Sequence, residues 1–155
     1  MPYQIIYSSK SATPMQMDDL EDILESARES NAEVGISGAL VYADGIFLQV
    51  LEGKAEDVQE LMGRISKDVR HESVTVLKRG EVPAALFNEW TMAYVGATAE
   101  QVAKWAGFSG TTGVPSVLTG IHGDPMRATQ LTEHILAVLA AESRNEPSVV
   151  KMSAA

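Results

Sequence analysis

Two apolar runs flank a two-residue turn at residues 38–53, GALVYADGIFLQVLEG, the clearest hydrophobic pattern in the chain. The pair Asp44-Gly45 suits a tight hairpin turn with positive φ, so the pattern predicts two antiparallel strands. Alternation in the second strand places Phe47, Gln49 and Leu51 on one face and the intervening apolar residues on the other. Because both faces are apolar, we predict that Gln49 is an amide buried within the sheet.

The Gln49 amide needs hydrogen-bond partners in such an environment. Leaving a buried amide unpaired costs about 1–3 kcal/mol, and buried polar groups are normally satisfied. The pattern leaves two interpretations open. Gln49 is either a structural amide bonded to the backbone or part of a binding site.

Similar patterns predict the other elements of the chain. Alternation predicts strands at residues 3–9, 34–43, 74–77 and 90–95, with Trp90 and Met92 on one face of the last strand. An apolar stripe from Leu20 to Ala27 predicts a first helix that continues to Asn31. Helical spacing predicts further helices at residues 53–69, 99–107 and 125–142, with acidic Glu52 near the start of the first of these three.

The order of these elements up to residue 97 is β-α-β-β-α-β-β. It predicts an α+β, ferredoxin-like sheet with two helices on one face. The opposite face is also apolar, at Ile46, Leu48 and Val50. We therefore expect a C-terminal helical extension, residues 98–143, to pack on that opposite face. Residues 144–155 are small and polar and are predicted to be a disordered tail.

The composition of the chain argues against several classes of binding partner. Acidic residues outnumber basic ones by 21 to 12, giving a net charge of −9, which disfavours nucleic acids and anionic membranes. No apolar run approaches the ~20 residues of a spanning helix, and the N-terminus lacks the pattern of a signal peptide. The absence of cysteine and the scattering of three histidines argue against a metal site and fit a cytoplasmic protein.

Five polar residues are predicted near the face between the sheet and the first two helices: Tyr7, Asn31, Gln49, Arg64 and Asp68. Tyr7 and Gln49 fall on neighbouring strands of the predicted sheet, within cross-strand hydrogen-bonding range. Asn31 is either a helix C-cap or a binding residue. The sequence has no catalytic triad, phosphate-binding loop or zinc helix, so it favours a binding domain with a polar floor.

Several stretches resemble one known family, the BLUF domain, a blue-light sensor that uses flavin. They are IYSSKS around Tyr7, NAEVGISGALVY, GIFLQVLEG around Gln49, I-x-x-D-x-R-H ending at His71, and FNEWTMAYVG around Trp90. The resemblance covers about residues 3–96, in order. It implies a non-covalently bound oxidised flavin, FAD or FMN, between the two helices, and a photoreceptor rather than an enzyme.

The resemblance also implies roles for individual residues. Tyr7 matches the tyrosine that donates an electron and a proton to the excited flavin. Gln49 matches the glutamine that changes its hydrogen bonds to the flavin. Asn31 matches the asparagine that fixes the ring edge. The remaining matches are ring-packing Ile23, the ring- and tail-lining Arg64, Ile65, Asp68 and His71, and the signal-transmitting pair Trp90 and Met92. Ser30 stands where the family commonly has a basic or amide residue.

We expect the light signal to pass to a partner or through rearrangement of an oligomer, because no effector domain is recognisable after residue 142. The family resemblance implies a homo-oligomer and a downstream partner such as a response-regulator-type protein. Two other interpretations remain at this point. One is an acylphosphatase-like enzyme, which is disfavoured because the loop at residues 8–13 has no glycine. The other is an interaction module of the same fold without flavin.

Overall fold

A five-stranded mixed sheet forms the centre of the computed structural model, which describes residues 1–13, 15–43, 45–87, 90–107 and 124–145. Helices lie on both sides of this sheet. In chain order the elements are β1 (Tyr3–Ser11), α1 (Met17–Val34), β2 (Ser37–Ala43), β3 (Ile46–Gly53), α2 (Ala55–Lys67), β4 (His71–Glu81), β5 (Ala93–Gly96), α3 (Ala99–Trp105) and α4 (Pro125–Asn145). The predicted α+β, ferredoxin-like class is confirmed.

The strands lie in the order β4-β1-β3-β2-β5. Strand β3 is therefore central and pairs antiparallel with β1 on one side and β2 on the other. In the β1–β3 register Tyr7 lies directly opposite Gln49. Strand β5 pairs parallel with β2 and forms one edge of the sheet.

Alternation along the strands divides the buried residues into two cores. The first, which we call the cavity face, contains Tyr7 and Phe47 and packs against α1 and α2. The second, the extension face, contains Leu48 and packs against α3 and α4, including Leu131. The C-terminal helices thus cover the apolar far face of the sheet, because that face would otherwise expose large apolar side chains to water.

Helix α1 is longer than the sequence pattern indicated. It extends through Val34 and ends at Gly35, whose left-handed φ of 73° closes the helix. The prediction of a strand from residue 34 was therefore wrong, since β2 begins at Ser37. Asn31 lies inside α1 and is not its cap.

The end of β3 also differs from the prediction. The sequence pattern placed Glu52 near the start of the second helix, but Glu52 lies in β3 and is fully buried. Helix α2 begins only at Ala55. At the other end of the hairpin, Gly45 has a φ of 77°, as the tight turn requires; Asp44 lies outside the described residues.

The predicted last strand is wrong at its beginning. Strand β5 starts at Ala93, so Trp90 and Met92 precede it. They also do not share a face: Trp90 is buried in the extension-face core and Met92 in the cavity-face core. Strand alternation does not apply to them, because the chain at 90–92 is not extended in the sheet.

Helices α3 and α4 lie close to their predicted positions at residues 99–107 and 125–142. The tail was predicted to begin at residue 144, but α4 continues to Asn145, so that boundary was wrong by two residues. Residues 146–155 lie outside the described residues. Within the part of the chain that the structure describes, no helix combines the length and apolar character needed to cross a membrane.

Candidate functional site

A cavity of about 190 Å³ opens between α1, α2 and the cavity face of the sheet. All nine residues that the sequence resemblance associates with the cofactor line it: Tyr7, Ile23, Ser30, Asn31, Gln49, Arg64, Ile65, Asp68 and His71. Six further lining residues were not predicted: Ser26, Ala27, Leu40, Phe47, Leu61 and Arg70. Strand alternation could have identified Phe47, since it shares the face of Gln49.

Tyr7 and Gln49 form the floor of the cavity. Both are buried, and the Tyr7 hydroxyl donates a hydrogen bond to Gln49 Oε1. Burial, with a smaller contribution from the negative charge of Asp68, raises the pKa of Tyr7 well above its ordinary value. The phenol therefore keeps its proton at neutral pH and acts as a donor toward the amide.

The other end of the Gln49 amide is also bonded. Its Nε2 donates to the Met92 sulfur over 3.2 Å. Gln49 thus links a tyrosine of β1 to a residue just before β5, with its oxygen accepting and its nitrogen donating. A thioether is a weak acceptor, so the bond to Met92 is the weaker of the two.

Asn31 reaches the same stretch of chain from α1. Its Nδ2 donates to the Thr91 carbonyl over 2.8 Å, although the side chain also lines the cavity. Arg28, one turn earlier on α1, donates from Nε to the Met92 carbonyl over 3.1 Å. Residues 91 and 92 are therefore held by side chains of α1 rather than by strand pairing.

An ion pair lies at the end of α2. Arg70 Nη2 is 2.6 Å from Asp68 Oδ2, and the Arg70 backbone N–H also donates to Asp68. These contacts, the Arg70 side-chain hydrogen bond first, lower the pKa of Asp68 to about 2. Asp68 forms its ion pair with Arg70, and Arg64 lines the cavity separately.

His71 closes the cavity beside this pair. Its Nδ1 is hydrogen-bonded to Ser9 Oγ at 2.7 Å, and its ring lies 4.9 Å from that of Phe47. Burial lowers the pKa of His71, and the charge of Asp68 opposes part of that effect. His71 therefore favours its neutral form beside Tyr7.

Trp90 is not part of the cavity. Its ring contacts Phe87 on the extension face at a centroid distance of 6.4 Å. Of the pair Trp90 and Met92, which the resemblance associates with signal transmission, Met92 contacts Gln49 and Trp90 does not. Their role in transmission stays a prediction.

Comparison with known proteins gives a consistent result. The BLUF family model, described as sensors of blue-light using FAD, matches residues 3–93. The chain is 36% identical over 91 residues to photoactivated adenylate cyclase subunit beta of Euglena gracilis and 34% identical over 102 residues to its beta-like protein FB. These alignments cover 57% and 65% of this chain but only 11% and 12% of the relatives. The chain thus matches about a tenth of the length of these curated relatives.

Solved structures agree with this match. The ground-state structure of BlsA is 34% identical, with a TM-score of 0.64 over 70% of this chain and 75% of that one. The dark-state structure of the BLUF protein BlrB shares the fold, with a TM-score of 0.70 at 24% identity, over 88% of this chain and 96% of that one. The family model covers more than half of the chain, in the region that builds the cavity. The chain therefore belongs to the BLUF family of blue-light sensors that use flavin.

Proposed function

We propose that this protein is a blue-light photoreceptor that holds an oxidised flavin without a covalent bond in the cavity between α1 and α2. Tyr7 and Gln49 are the photoactive pair, and FAD is the favoured flavin, as in the family description. One observation carries the proposal. The Gln49 amide forms the cavity floor while bonded at its oxygen to Tyr7 and at its nitrogen to Met92.

The chemistry of the cavity fits a flavin ring. Such a ring has flat apolar faces and an edge of amide-like donors and acceptors. Ile23, Leu61 and Ile65 supply apolar walls, and the amides of Asn31 and Gln49 supply matching polar groups. The guanidinium groups of Arg64 and Arg70 line the same cavity and would suit the phosphates of the flavin tail.

A bound oxidised flavin supplies absorption of blue light and, once excited, a strong electron acceptor. Tyr7 is the oxidisable group beside it, and its hydroxyl hydrogen is directed at Gln49 Oε1. A proton that leaves Tyr7 Oη therefore has a defined acceptor, Gln49 Oε1. Because burial disfavours a tyrosinate, the proton leaves only when the phenol also gives up an electron.

Gln49 can respond to this transfer of an electron and a proton because one end of its amide is an acceptor and the other is a donor. A half-turn of the amide exchanges Oε1 and Nε2, so that a donor replaces the acceptor facing Tyr7 and an acceptor replaces the donor facing Met92. The bond accepted from Tyr7 and the bond donated to the Met92 sulfur would both change. Gln49 is thus a two-state element that connects the cavity to residues 90–92.

Output passes to another molecule in this proposal, either within a homo-oligomer or to a response-regulator-type partner. The extension face supports this route, since Trp90 lies there among residues of α3 and α4. Similar proteins include light-regulated cyclases, in which a BLUF domain accompanies an effector. The exposed sides of α3 and α4 are the proposed output surface.

The absorption spectrum of the purified protein before and after blue light tests the proposal. We expect a yellow protein whose flavin band shifts to the red on illumination and returns in the dark. A colourless protein that takes up neither FAD nor FMN would overturn the proposal and favour a flavin-free interaction module. A yellow protein without any light-minus-dark difference would overturn the photoreceptor function while leaving flavin binding intact.

A further inference from the structure

Glu52 is a fully buried carboxyl group that the photochemistry described above does not use. Its Oε1 accepts the backbone N–H groups of Leu86 and Phe87, each over 2.8 Å. Its Oε2 accepts from Gln4 Nε2 over 2.9 Å. All three contacts are donated to Glu52, as an acceptor-only carboxylate requires.

The residues that Glu52 holds lead toward Met92. We call Leu86, Phe87 and residues 90–92 the connector. Within it, the Trp90 N–H donates to the Phe87 carbonyl over 2.9 Å, and the Trp90 carbonyl accepts from Gly38 over 3.1 Å. The connector passes from Phe87 in the extension-face core to Met92 in the cavity-face core.

Two side chains of strand β3 are therefore hydrogen-bonded to the two ends of the connector. Gln49 and Glu52 are three residues apart, so their side chains leave the strand on opposite faces. Gln49 contacts Met92 and Glu52 contacts Leu86 and Phe87. The hydrogen bonds to Glu52 are the stronger of the two sets, because a carboxylate is a strong acceptor for N–H groups. The Met92 sulfur is a weak acceptor for the Gln49 amide.

We propose, on the basis of the function proposed above, that Glu52 is a positioning residue that fixes one end of the connector. A change at Gln49 then displaces residues 90–92 while Leu86 and Phe87 stay in place. The movement is thereby directed from Met92 to Trp90 instead of being spread along the whole connector. Glu52 acts through Met92 and does not contact the cavity.

Replacement of Glu52 by two different residues tests this role. Glu52→Leu removes the acceptor and leaves the buried N–H of Phe87 and the partly buried N–H of Leu86 unpaired. In Glu52→Gln, the side-chain oxygen can still accept both backbone N–H groups. The new Nε2 can donate to the oxygen of Gln4 once the Gln4 amide is rotated by a half-turn. We expect Glu52→Leu to change the dark-recovery rate of the flavin band about fivefold, and Glu52→Gln to stay within about twofold of wild type.

A second substitution, at Met92, distinguishes a positioning role of Glu52 from a general loss of protein stability. In a Met92→Ala background, Glu52→Leu should no longer change the recovery rate, because its effect passes through Met92. Val58→Ala is the control, since it removes buried apolar contacts on α2 and leaves the hydrogen bonds of Gln49 and Glu52 to the connector in place. We expect that variant to lower Tm and leave recovery unchanged. A wild-type recovery rate in Glu52→Leu, or an equal effect in the Met92→Ala background, would overturn the role of Glu52.

Hydrogen exchange on the wild-type protein provides a test that needs no variant to fold. The amides of Leu86 and Phe87 should remain equally protected in darkness and under blue light, while those of residues 90–92 change by about tenfold or more. Loss of protection at Leu86 and Phe87 on illumination would overturn the proposal. The photoreceptor function is tested separately, by the colour and the absorption spectrum of the wild-type protein. Failure to bind flavin or to respond to light would overturn that function.

Discussion

The two faces of the sheet are built from alternate residues of the same strands, yet they differ in chemistry. The cavity face carries the phenol of Tyr7 and the amide of Gln49 and borders an open space below α1 and α2. The extension face is closed by apolar residues, many of them small, such as Ala39, Ala103 and Ala128. Small residues let α3 and α4 approach the sheet closely at these positions, although a groove of about 590 Å³ lined by Lys78, Leu86 and Thr132 remains between the sheet and α4.

In the proposed function, this difference separates the photochemistry from much of the packing. The polar groups proposed to change partners lie on one face, where the Tyr7 hydroxyl donates to Gln49 Oε1. The other face supplies apolar burial that no light-driven change needs to disturb. The connector joins the two, because Met92 lies on one face and Trp90 on the other.

Tyr7→Phe should have the largest effect on the cavity face. It removes the hydroxyl that donates to Gln49 and makes the side chain hard to oxidise. We expect complete loss of the light-induced red shift with flavin still bound, measured by light-minus-dark absorption spectroscopy. Tyr42→Phe is the matched control, since its hydroxyl bonds to Ser11 and Met15 and not to Gln49. A normal shift in Tyr7→Phe would refute the assigned role.

Gln49→Leu should also abolish the shift, for a different reason. The variant keeps Tyr7 but removes the amide whose ends differ, so no exchange of donor and acceptor is possible. We expect a yellow protein with a fixed spectrum, and stability reduced by about 1–3 kcal/mol through the Tyr7 hydroxyl left unpaired. A red shift of wild-type size, recorded under continuous blue light, would contradict the assignment of Gln49 as the switch.

Leu131→Ala probes the extension face instead. Leu131 is buried on α4, so its truncation should reduce the free energy of unfolding by about 2–5 kcal/mol. Because the side chain is remote from the cavity lining, the light-induced red shift should keep its wild-type size. Chemical denaturation and difference spectra on the same samples measure both quantities. Loss of the shift in a folded Leu131→Ala protein would show that the two faces are not separable.

The smallest expected effect concerns the pH dependence of stability through His71. Burial lowers its pKa in the folded protein, so the unfolded chain binds the proton more readily. The contribution of His71 is fully present above its ordinary pKa of about 6.5 and is lost as pH falls toward the lower folded value. Asp68, with a pKa of about 2, stays ionised in this range.

Denaturation curves between pH 7.5 and about 5 measure this effect. We expect His71→Gln, which can retain a bond to Ser9, to flatten the decline in stability. His134→Gln is the control, because His134 is exposed on α4. An identical decline in wild type and His71→Gln would exclude His71 as its source.

Local patterns predicted much of the cavity face correctly. Alternation in β1 and β3 put Tyr7 and Gln49 on one face, and helical spacing directed Asn31 toward the sheet. The same patterns failed at the ends of elements. Glu52 was assigned to a helix start because acidic residues are common there, although long-range contacts with Leu86 and Phe87 keep it in the sheet.

The partner of Asn31 shows what spacing alone leaves open. The sequence could not distinguish a helix cap from a binding residue, since both fit the end of a helix. The structure assigns the cap to Gly35 and bonds Asn31 to the Thr91 carbonyl, 60 residues away. Such a bond depends on how α1 packs against the chain before β5.

The sequence alone determined the class of the fold, the division of β1 and β3 into two faces, and the pairing of a phenol with an amide. It could do so because side-chain alternation is a local property of extended backbone. Only the tertiary structure decided that Met92 and Trp90 part to opposite faces and that Glu52 holds the chain before them. Those contacts join residues distant in sequence through irregular backbone, for which no local period exists.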